Sequence, residues 1–537
     1  MKAPFSRTFF DLACEQAQKT PDGIALICGD QVLSYAELYQ RAHRIAGALR
    51  ALGLSKGDRL GLLMSNKMEW VELCFGASGA GVTLVPFSTW STRAELEFLL
   101  ADSDVKALVA MSQFGNRDFG ADLTVLVPEI ARGEGSCRFP RLSKVILTGA
   151  PSSDGFLRYA DVFADRSRDE DFAPGRASSA DDDALVLYTS GSSAHPKAVR
   201  LRQSAILENG FNIGARMGLS AVDRVLLSPP LFWSYGSANA LPATLTHGGT
   251  LVLQEKFDPA TTLDIIERNG CTAIYTLPGM TAALLADPGF GLERVRTLRT
   301  GLTIGTPQDF MQAAEGLGAK EMCNVYGATE TYGNCCVTWH HWPMARRAAT
   351  QGPPLPGNRF RFVDAETGAL LKAGEIGLAE VKGYVTPGYC GASSDQNAVA
   401  FTEDGYYRTG DVGHLNEDGD FVFLGRTTEM IKRAGINVSP AEIENIFLLH
   451  PGVAQACVVG IPDRQRGELV VAFVVLRDSA LTPGEMIAHC TSRVSKYKVP
   501  DRIEILTALP LTPTGKLQRR DLKRAACDLM ERGKKNG

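Results

Sequence analysis

Short apolar runs alternate along the chain with segments whose apolar positions recur at helical spacing. Residues 59–64 form such a run, and Ser34 followed by Glu37 has the pattern of a capping box that opens a helix. Residues 69–78 predict a second helix and residues 82–86 a further strand. Strand, helix and strand at this spacing predict a βαβ unit, in which helices cover a parallel sheet.

The same alternation continues to about residue 350. We predict further strands at 24–28, 31–34, 108–110, 145–148, 184–188, 225–227, 250–253, 273–275 and 297–299, with a helix at 262–269. Residues 149–180 are rich in Asp, Ser, Pro and Gly and predict a surface loop.

The pattern changes near residues 352–357. Short alternating strands separated by glycine-containing turns follow, at 360–364, 377–382 and 421–424, and they predict a small β-rich subdomain. After Arg426 an α/β pattern returns, with helices at 440–449 and 483–492 and strands at 453–459 and 469–476. This last part is long enough for a separate small domain with its own core.

Composition adds limits to this picture. The 537 residues are 45% hydrophobic and 22% charged, as in an ordinary globular protein. A formal net charge of −4 favours neither nucleic acid nor an anionic membrane as a partner. We find no apolar run long enough to span a membrane, and the polar first residues do not resemble a secretion signal. Twelve cysteines without CxxC pairs predict reduced thiols in a cytoplasmic protein.

A polar loop after the strand at 184–188 is the first candidate site. Its hydroxyl, glycine and lysine residues suit a turn that directs several donors at phosphate oxygens: Thr189, Ser190, Gly191, Ser192, Ser193 and Lys197. Lys197 follows a proline, so this is not the Walker loop of P-loop NTPases. A polar loop that merely joins two strands is the alternative.

Four later stretches also place polar groups between apolar strands. They are 324–330 (NVYGATE), 406–411 (YYRTGD), 425–435 (GRTTEMIKRAG) and 510–517 (PLTPTGKL). The Glu330 carboxylate suits Mg²⁺ at a phosphate, and Asp411 on a tight turn suits ribose hydroxyls. Each stretch alone is equally consistent with a turn, a salt bridge or a solvated lysine.

In this order the five motifs resemble the adenylate-forming superfamily of acyl-CoA synthetases, peptide-synthetase adenylation domains and beetle luciferases. The resemblance runs roughly from Thr20 to Arg520. It implies an α/β fold with a large N-terminal AMP-binding domain, residues 1–427, built from two α/β subdomains and a β-barrel-like subdomain. It also implies a small mobile α+β C-terminal domain, residues 428–537.

The resemblance implies a role for each matching residue. The loop from Thr189 to Lys197 would order the triphosphate of ATP, and Thr329 would bind the α-phosphate. Glu330 would bind Mg²⁺, and Lys516 would bridge the substrate carboxylate and the α-phosphate. The remaining implied nucleotide contacts are Gly305, Thr306 and Pro307 beside adenine, Asn324 at its edge, Tyr326 and Gly327 at its face, and Asp411 with Arg426 at the ribose.

The implied reaction has two halves. A carboxylic acid and ATP give an acyl-adenylate and pyrophosphate, and the C-terminal domain then rotates about Thr428 to present Lys432 and Gly435 for thioester formation. Coenzyme A is the expected acceptor, because no carrier-protein domain follows and the basic tail at 519–535 reads as a solvated helix. A homodimer is left open.

Three positions depart from the family pattern. Ala194 and Ala198 stand where the phosphate loop usually has glycine, and alanine resists the backbone that glycine permits at 194. Thr428 stands where the hinge usually has Asp or Lys. These departures keep two alternatives open: an enzyme that passes the acyl group to an amine or a separate carrier protein, and a non-catalytic relative that only binds nucleotide or acyl ligand. A hydrolase is not expected, because no Gly-x-Ser-x-Gly motif is present.

The substrate-facing segment is also unusual. Trp233 stands where many relatives have histidine, and we predict that it fills or gates the acyl channel, with a core aromatic as the alternative. The other predicted pocket walls are Tyr235, Gly236, Ala238 and Ala328. This mixture of large and small residues favours a compact, cyclic or aromatic acid over a long straight chain.

Overall fold

A computed structural model describes residues 8–149, 155–164, 177–189, 196–427, 429–433, 436–463, 466–477, 480–494, 496–511 and 517–535. The strands of the N-terminal region are β1 (Ile24–Cys28), β2 (Gln31–Ser34), β3 (Arg59–Leu63), β4 (Thr83–Phe87), β5 (Ala107–Ala110), β6 (Gln113–Phe114), β7 (Arg117–Asp118), β8 (Lys144–Leu147), β9 (Leu157–Arg158), β10 (Asp183–Thr189), β11 (Lys197–Arg202), β12 (Arg224–Leu227), β13 (Thr250–Leu253), β14 (Ala273–Tyr275), β15 (Thr300–Thr303), β16 (Glu321–Tyr326), β17 (Cys336–Val337), β18 (Arg359–Val363), β19 (Gly377–Lys382), β20 (Tyr389–Cys390), β21 (Tyr407–Leu415) and β22 (Phe421–Arg426). Those of the C-terminal region are β23 (Ile431–Arg433), β24 (Ile436–Val438), β25 (Val453–Asp463), β26 (Gly467–Leu476) and β27 (Arg502–Leu506).

Helices occur throughout the chain. They are α1 (Phe9–Lys19), α2 (Tyr35–Ala51), α3 (Met68–Ala80), α4 (Arg93–Ser103), α5 (Phe119–Leu126), α6 (Pro128–Ala131), α7 (Tyr159–Val162), α8 (Gln203–Met217), α9 (Leu241–Thr246), α10 (Pro259–Asn269), α11 (Pro278–Ala286), α12 (Pro307–Gly316), α13 (Met344–Ala349), α14 (Asn397–Ala400), α15 (Pro440–Leu448), α16 (Pro483–Thr491) and α17 (Arg519–Lys535). Three short 3₁₀ turns, Thr329–Thr331, Gly391–Gln396 and Lys496–Lys498, and a π-helix, Tyr235–Ala240, complete the described elements.

Two eight-stranded sheets dominate the described N-terminal region. One has the order β17-β16-β15-β14-β12-β13-β1-β2, and the other the order β20-β11-β10-β4-β3-β5-β8-β9. Both are mainly parallel, with antiparallel strands β2 and β17 at the edges of the first and β11 and β20 at one end of the second. The predicted pair of α/β subdomains is therefore confirmed.

Helix α3 shows how the layers pack. Nearly all of its residues are buried, including the glycines at 76 and 79. A Cβ atom at Gly76 would lie 2.3 Å from Ile45 Cγ2, and one at Gly79 would lie 2.5 Å from Phe10 Cδ2. Small residues at these two positions let α2 and α1 approach α3 closely, so a helix that begins at Phe9, before the first predicted element, joins the main core.

The β-rich subdomain is a four-stranded antiparallel sheet with the order β18-β19-β21-β22. Its core includes Tyr326, Phe362 and Phe421, with Phe360 and Phe423 packed against them. Tyr326 ends strand β16 of the first large sheet, so this aromatic core joins the subdomain to that sheet.

The C-terminal region has its own sheet, with β24-β23-β26-β25 in order and β27 paired in parallel with β26. Ile431, Phe447 and Val453 are among the buried residues of a core that is separate from that of the large sheets. The two regions touch where the Ser439 hydroxyl, at the start of α15, donates a hydrogen bond to the Leu424 carbonyl of β22.

One predicted strand was displaced. Residues 297–299 precede the strand that actually forms, β15 at Thr300–Thr303. Within this strand, position 301 requires glycine, because a Cβ atom there would lie 2.2 Å from the Ile274 carbonyl oxygen. Threonine and glycine give this buried strand a weak apolar signal, which explains the shift.

Candidate active site

The phosphate loop joins β10 to β11, which pair as the two antiparallel strands of a hairpin. Thr189 is the last residue of β10, and in the antiparallel register it lies opposite Lys197, the first residue of β11. Ser190, Gly191, Ser192 and Ser193, together with Ala194, lie outside the described residues. Ala198 is fully buried between the neighbouring strands, and its N–H donates to Ser393 Oγ at 3.1 Å.

Tyr389 connects this hairpin to the predicted metal ligand. It pairs with Val199 as part of β20, and its ring centroid lies 5.1 Å from Lys197 Nζ. Its hydroxyl donates a hydrogen bond of 2.9 Å to Glu330 Oε1. Burial and the nearby Glu330 charge raise the pKa of Tyr389, so the phenol stays protonated and remains a donor. Tyr389 lies outside the five sequence motifs.

Glu330 lies on the tight turn Thr329–Thr331 and is 8% exposed. Its backbone carbonyl accepts the Thr386 N–H at 2.7 Å, which fixes the turn. Thr329 Oγ1 lies 3.1 Å from Ser234 Oγ. Tyr332, directly after the turn, has φ +58°, a left-handed conformation that a bulky residue rarely adopts. Such strain is commonly found at functional sites.

Asp411 and Arg426 lie opposite each other on strands β21 and β22. Arg426 Nε is 3.4 Å from Asp411 Oδ1, and the Tyr326 hydroxyl donates to Asp411 Oδ2 at 2.5 Å. Burial raises the pKa of Asp411, and the Tyr326 hydroxyl and Arg426 oppose that rise. Oδ1 is buried without a hydrogen-bond partner among the described residues. A carboxylate oxygen that faces an arginine but accepts no hydrogen bond among the described residues fits a ribose hydroxyl.

Tyr326 is enclosed by aromatic rings. Phe421 lies 4.4 Å from it between centroids and Phe423 lies 5.8 Å away, and the side chain is 8% exposed. Gly327, next along, must lack a side chain because a Cβ atom would approach the Gly333 carbonyl oxygen to 2.3 Å. Stacking of adenine on Tyr326 stays a prediction.

Asn324 makes its hydrogen bonds inside the protein. The residue is 1% exposed, and its side-chain amide donates to the backbone carbonyls of Arg347 at 3.2 Å and Thr350 at 3.0 Å. Its Oδ1 accepts the Val325 N–H at 2.9 Å. These hydrogen bonds join β16 to α13 and to the residue that follows it. The contact of Asn324 with the base stays a prediction.

The segment Gly305–Pro307 forms the start of helix α12. Gly305 has φ +127°, and the Thr306 side chain caps the helix by accepting the Asp309 N–H at 3.2 Å. Burial raises the pKa of the Asp309 carboxyl, and Glu444 of α15 contributes to that rise. Gly305 and Pro307 are exposed. This helix start is therefore an accessible surface, as a position beside a bound base requires.

The predicted acyl-pocket residues differ in their burial. Trp233, Tyr235 and Ala328 are partly exposed, whereas Gly236 and Ala238 are buried. A Cβ atom at Gly236 would lie 2.5 Å from the Pro230 carbonyl oxygen. Gly236 and Ala238 are thus in the packed interior beside the π-helix, and their part in the pocket wall stays a prediction.

Trp90 is a further aromatic residue beside this pocket. It follows strand β4, is 43% exposed, and meets Trp233 edge-on at 5.1 Å and Phe232 at 5.3 Å. No sequence motif indicates Trp90, because nothing near it in the chain links it to a segment so far along the sequence.

Other predicted residues of the C-terminal region are not described. Lys516, Gly435 and Thr428 lie outside the described residues, and Lys432 is placed in β23 without a described side chain. No helix within the described ranges is long and apolar enough to cross a membrane.

Comparison with known proteins identifies the family. The AMP-binding enzyme family matches residues 14–390, and the AMP-binding enzyme C-terminal domain matches residues 442–516. The chain belongs to the AMP-forming acyl-CoA synthetases of the adenylate-forming superfamily. Enzymes of this family use ATP and coenzyme A as co-substrates and Mg²⁺ as the metal ion.

Individual relatives agree with this assignment. The chain is 30% identical to the "Putative acyl-CoA synthetase YngI" of Bacillus subtilis (strain 168), covering 96% of each. It is 32% identical to the mitochondrial medium-chain acyl-CoA ligase ACSF2 of Homo sapiens, covering 94% of this chain and 85% of the relative. Among solved structures, the anthranilate CoA ligase AuaEII with anthranoyl-AMP superposes with a TM-score of 0.82 at 25% identity, covering 98% and 99%.

Proposed function

We propose that the protein activates a compact carboxylic acid with ATP and joins it to coenzyme A. The observation that carries the proposal is the hydrogen-bonded link from the buried Glu330 carboxylate to Tyr389, whose ring lies beside Lys197, together with a second buried carboxylate, Asp411, which pairs with Arg426. Oδ1 of Asp411 accepts no hydrogen bond among the described residues and is thus free to accept one from a ribose hydroxyl. A ribose ligand, a metal ligand and a phosphate cation are thereby available in one site.

The first half-reaction brings two anions together. The acid carboxylate attacks the α-phosphorus of ATP, the bond from that phosphorus to the bridging oxygen breaks, and pyrophosphate leaves. Lys197 and, by the family resemblance, Lys516 would offset the negative charge on the phosphates. Mg²⁺ held by Glu330 would supply further charge neutralisation, and a carboxylate oxygen is the ligand type that Mg²⁺ prefers.

The second half-reaction exchanges the leaving group. The thiol of coenzyme A attacks the acyl carbon, a thioester forms, and AMP departs with the electron pair of the broken bond. We place the hinge for the change of domain orientation at Thr428. The last N-terminal strand ends at Arg426 and the first C-terminal strand begins at Ile431, which supports a domain boundary between residues 427 and 428. Lys432 and Gly435 are then the proposed residues on the thiol side.

The proposed acid is compact, cyclic or aromatic. Trp233 and Trp90 narrow the pocket with bulky rings. The Tyr235 ring is fixed because its hydroxyl donates to the carbonyls of Leu302 at 2.9 Å and Thr276 at 3.3 Å. The likeness to an anthranilate CoA ligase supports an aromatic acid. The ACSF2 relatives are named as medium-chain acyl-CoA ligases, so medium-chain acids are the substrates against which compact acids should be compared.

A pyrophosphate-exchange screen over carboxylic acids tests this function. We expect exchange with at least one compact acid, and loss of about 10²-fold or more in Glu330→Gln, because a charge that stabilises the transition state is removed. Glu321→Gln is the matched control, since Glu321 pairs with Arg299 and His340 away from the site. Absence of exchange with every acid would instead support a protein that only binds its ligands.

Location and assembly are separate proposals. We propose a cytoplasmic protein because all twelve cysteines are free thiols, although the ACSF2 relatives are named mitochondrial. Cell fractionation tests this.

We propose a homodimer as the assembly to test, and light scattering on the purified protein decides between dimer and monomer.

A further inference from the structure

A cavity of about 180 Å³ lies where helices α2, α3 and α7 meet. Arg41 and Arg44 reach it from one face of α2, since residues three apart in a helix lie on the same side. Glu69 and Glu72 line it from the beginning of α3, and Tyr159 lines it from α7. Benzene fits a cavity of about 150 Å³, so this one has room for about six to eight non-hydrogen atoms.

The cavity is far from the predicted nucleotide site. Tyr159 directly follows β9, an edge strand of the second sheet, whereas Lys197 lies on β11 near the opposite edge. Gln31, which also lines the cavity, lies on the edge strand β2 of the first sheet, whereas Tyr326 lies on β16 near the other edge. Six strand spacings, or roughly 29 Å, separate the two positions in each sheet. A ligand in this cavity therefore occupies a second site.

Two of the four charged side chains already neutralise each other. Arg41 Nη1 lies 2.7 Å from Glu72 Oε1, and the Glu72 side chain is buried. The side chains of Arg44 and Glu69 form no ion pair or hydrogen bond with any residue that the structure describes, although Arg44 Nε is buried. One cation and one anion in the cavity are therefore left without a partner. Buried polar groups are nearly always hydrogen-bonded, which indicates that a ligand supplies the missing partners.

Tyr159 adds a hydrogen-bond donor to this pair. Its hydroxyl oxygen is buried and has no partner within the described ranges. Its ring packs against Phe163 at 4.7 Å between centroids, which restricts the direction of the hydroxyl. Burial and the charges of Glu72 and Glu69 raise the pKa of Tyr159, and the two arginines oppose that rise. The phenol therefore keeps its proton at neutral pH and can donate it to an oxygen that Arg44 also binds.

We propose that this cavity binds a small zwitterion, an amino acid of about six to eight non-hydrogen atoms. The ligand carboxylate accepts hydrogen bonds from Arg44 and Tyr159, and the ligand ammonium donates to Glu69. A simple anion would be repelled by Glu69, and a simple amine would leave Arg44 unpaired. The exposed Gln31 marks the side from which the ligand enters. This inference is independent of the proposed function, because that function uses none of these residues.

Calorimetric titration of the full-length protein tests the inference without an assay of activity. The probes are alanine, valine, β-alanine and γ-aminobutyrate. Isovalerate and isobutylamine are the matched controls for valine, because each has nearly the same shape but lacks one of its two charges. We expect at least one amino acid to bind. We also expect its affinity to exceed that of its two single-charge analogues about tenfold or more, since each analogue leaves one protein charge unpaired.

Variants assign the binding to this cavity. Arg44→Gln and Glu69→Gln should each reduce the affinity for the amino acid about tenfold or more, and Tyr159→Phe should reduce it by about fivefold. Arg50→Gln changes an exposed arginine at the end of α2, and Glu293→Gln changes an exposed carboxylate that pairs with a surface arginine. Neither residue lines the cavity, so both variants should bind as the wild type does.

A titration with saturating AMP separates this cavity from the nucleotide site. Because the two sites are far apart, AMP should leave the affinity for the amino acid unchanged. Loss of binding when AMP is added would place the amino acid in the nucleotide site and overturn the inference. Absence of binding by every amino acid, equally tight binding of isovalerate or inorganic phosphate, or equal effects of cavity and control variants would also overturn it. The comparison of ligands on the wild-type protein decides the matter even if a variant fails to fold.

Discussion

The Tyr389 hydroxyl donates a hydrogen bond of 2.9 Å to Glu330 Oε1. The two residues come from distant parts of the chain, and the buried tyrosine holds the carboxylate in one orientation while its ring lies near Lys197. A carboxylate fixed in this way can receive a metal ion without first losing side-chain freedom.

We therefore expect Tyr389→Phe to weaken use of Mg²⁺ and ATP. The ring and its contact with Lys197 stay, but the donor to Glu330 is lost, at a cost of about 1 kcal/mol in stability. Exchange activity at limiting Mg²⁺ should fall about tenfold, with partial recovery at high Mg²⁺. Tyr384→Phe is the control, since it removes a hydrogen bond of 2.6 Å to Glu208 outside the site. Equal effects of the two changes would refute the link.

The raised pKa of Asp411 predicts an acid limit to ATP binding. Burial raises this pKa, so the folded protein holds the proton to a higher pH than the unfolded chain does. The stability that Asp411 contributes to the fold is therefore fully present below the pKa of the unfolded chain. It is lost as the pH rises through the pKa of the folded protein. ATP affinity depends on pH in the opposite direction, because ribose hydroxyls need the ionised carboxylate. Affinity should therefore be lost as the pH falls through the raised pKa of Asp411, by about tenfold per pH unit.

Two variants test this assignment by ATP binding across the acidic range. Tyr326→Phe removes a donor that lowers the pKa of Asp411, so its acid limb should move to higher pH. Asp411→Asn cannot titrate and should bind ATP weakly with a flat profile, apart from the titration of ATP itself. A Tyr326→Phe profile that matches the wild type would contradict the proposed coupling.

Gly305→Ala should damage the predicted adenine wall. The residue has φ +127°, and a Cβ atom would lie 2.6 Å from Asp309 Oδ2, which also accepts the Thr306 N–H. We expect a loss of about 1–2 kcal/mol in stability, from the backbone strain, and weaker ATP binding. Urea unfolding and nucleotide titration measure the two effects. Gly47→Ala is the control, because helix α2 leaves space there and alanine is the better helix former.

Trp233→Ala should widen the range of acids. Removing an indole that packs against Trp90 leaves room in the pocket, so exchange activity should shift toward longer or bulkier acids. The profile over a homologous series of acids measures this shift. Trp342→Ala removes the same volume where the indole stacks on Arg346, and it should leave the profile unchanged. A Trp233→Ala profile identical to that of the wild type would indicate that Trp233 is a core residue and does not line the acyl pocket.

The fold was largely predictable because its signals are local. Buried apolar runs and a capping box at Ser34 are readable from neighbouring residues, and the structure confirms the capping box. β15 was misplaced because its Thr and Gly residues are buried by their neighbours and not by their own hydrophobicity. Helix α1 was missed because its partners α2 and α3 lie further along the chain.

The site was predictable only as a set of motifs. Order along the chain indicated which loops matter, but it does not show where each side chain points. Asn324 follows the motif, yet its amide is used by the backbone carbonyls of Arg347 and Thr350. Tyr389 and Trp90 lie outside the motifs and reach the site through strand pairing and ring packing, which no local pattern reports.

Product analysis with a responsive acid is the most direct test of the central claim. The acid, MgATP and coenzyme A are incubated with the protein, and AMP, pyrophosphate, acyl-adenylate and acyl-CoA are quantified by mass spectrometry. An AMP-forming acid–CoA ligase yields AMP, pyrophosphate and acyl-CoA in equal amounts, with acyl-adenylate prominent only when coenzyme A is left out. Acyl-adenylate that accumulates while coenzyme A is present and unconsumed would contradict the account.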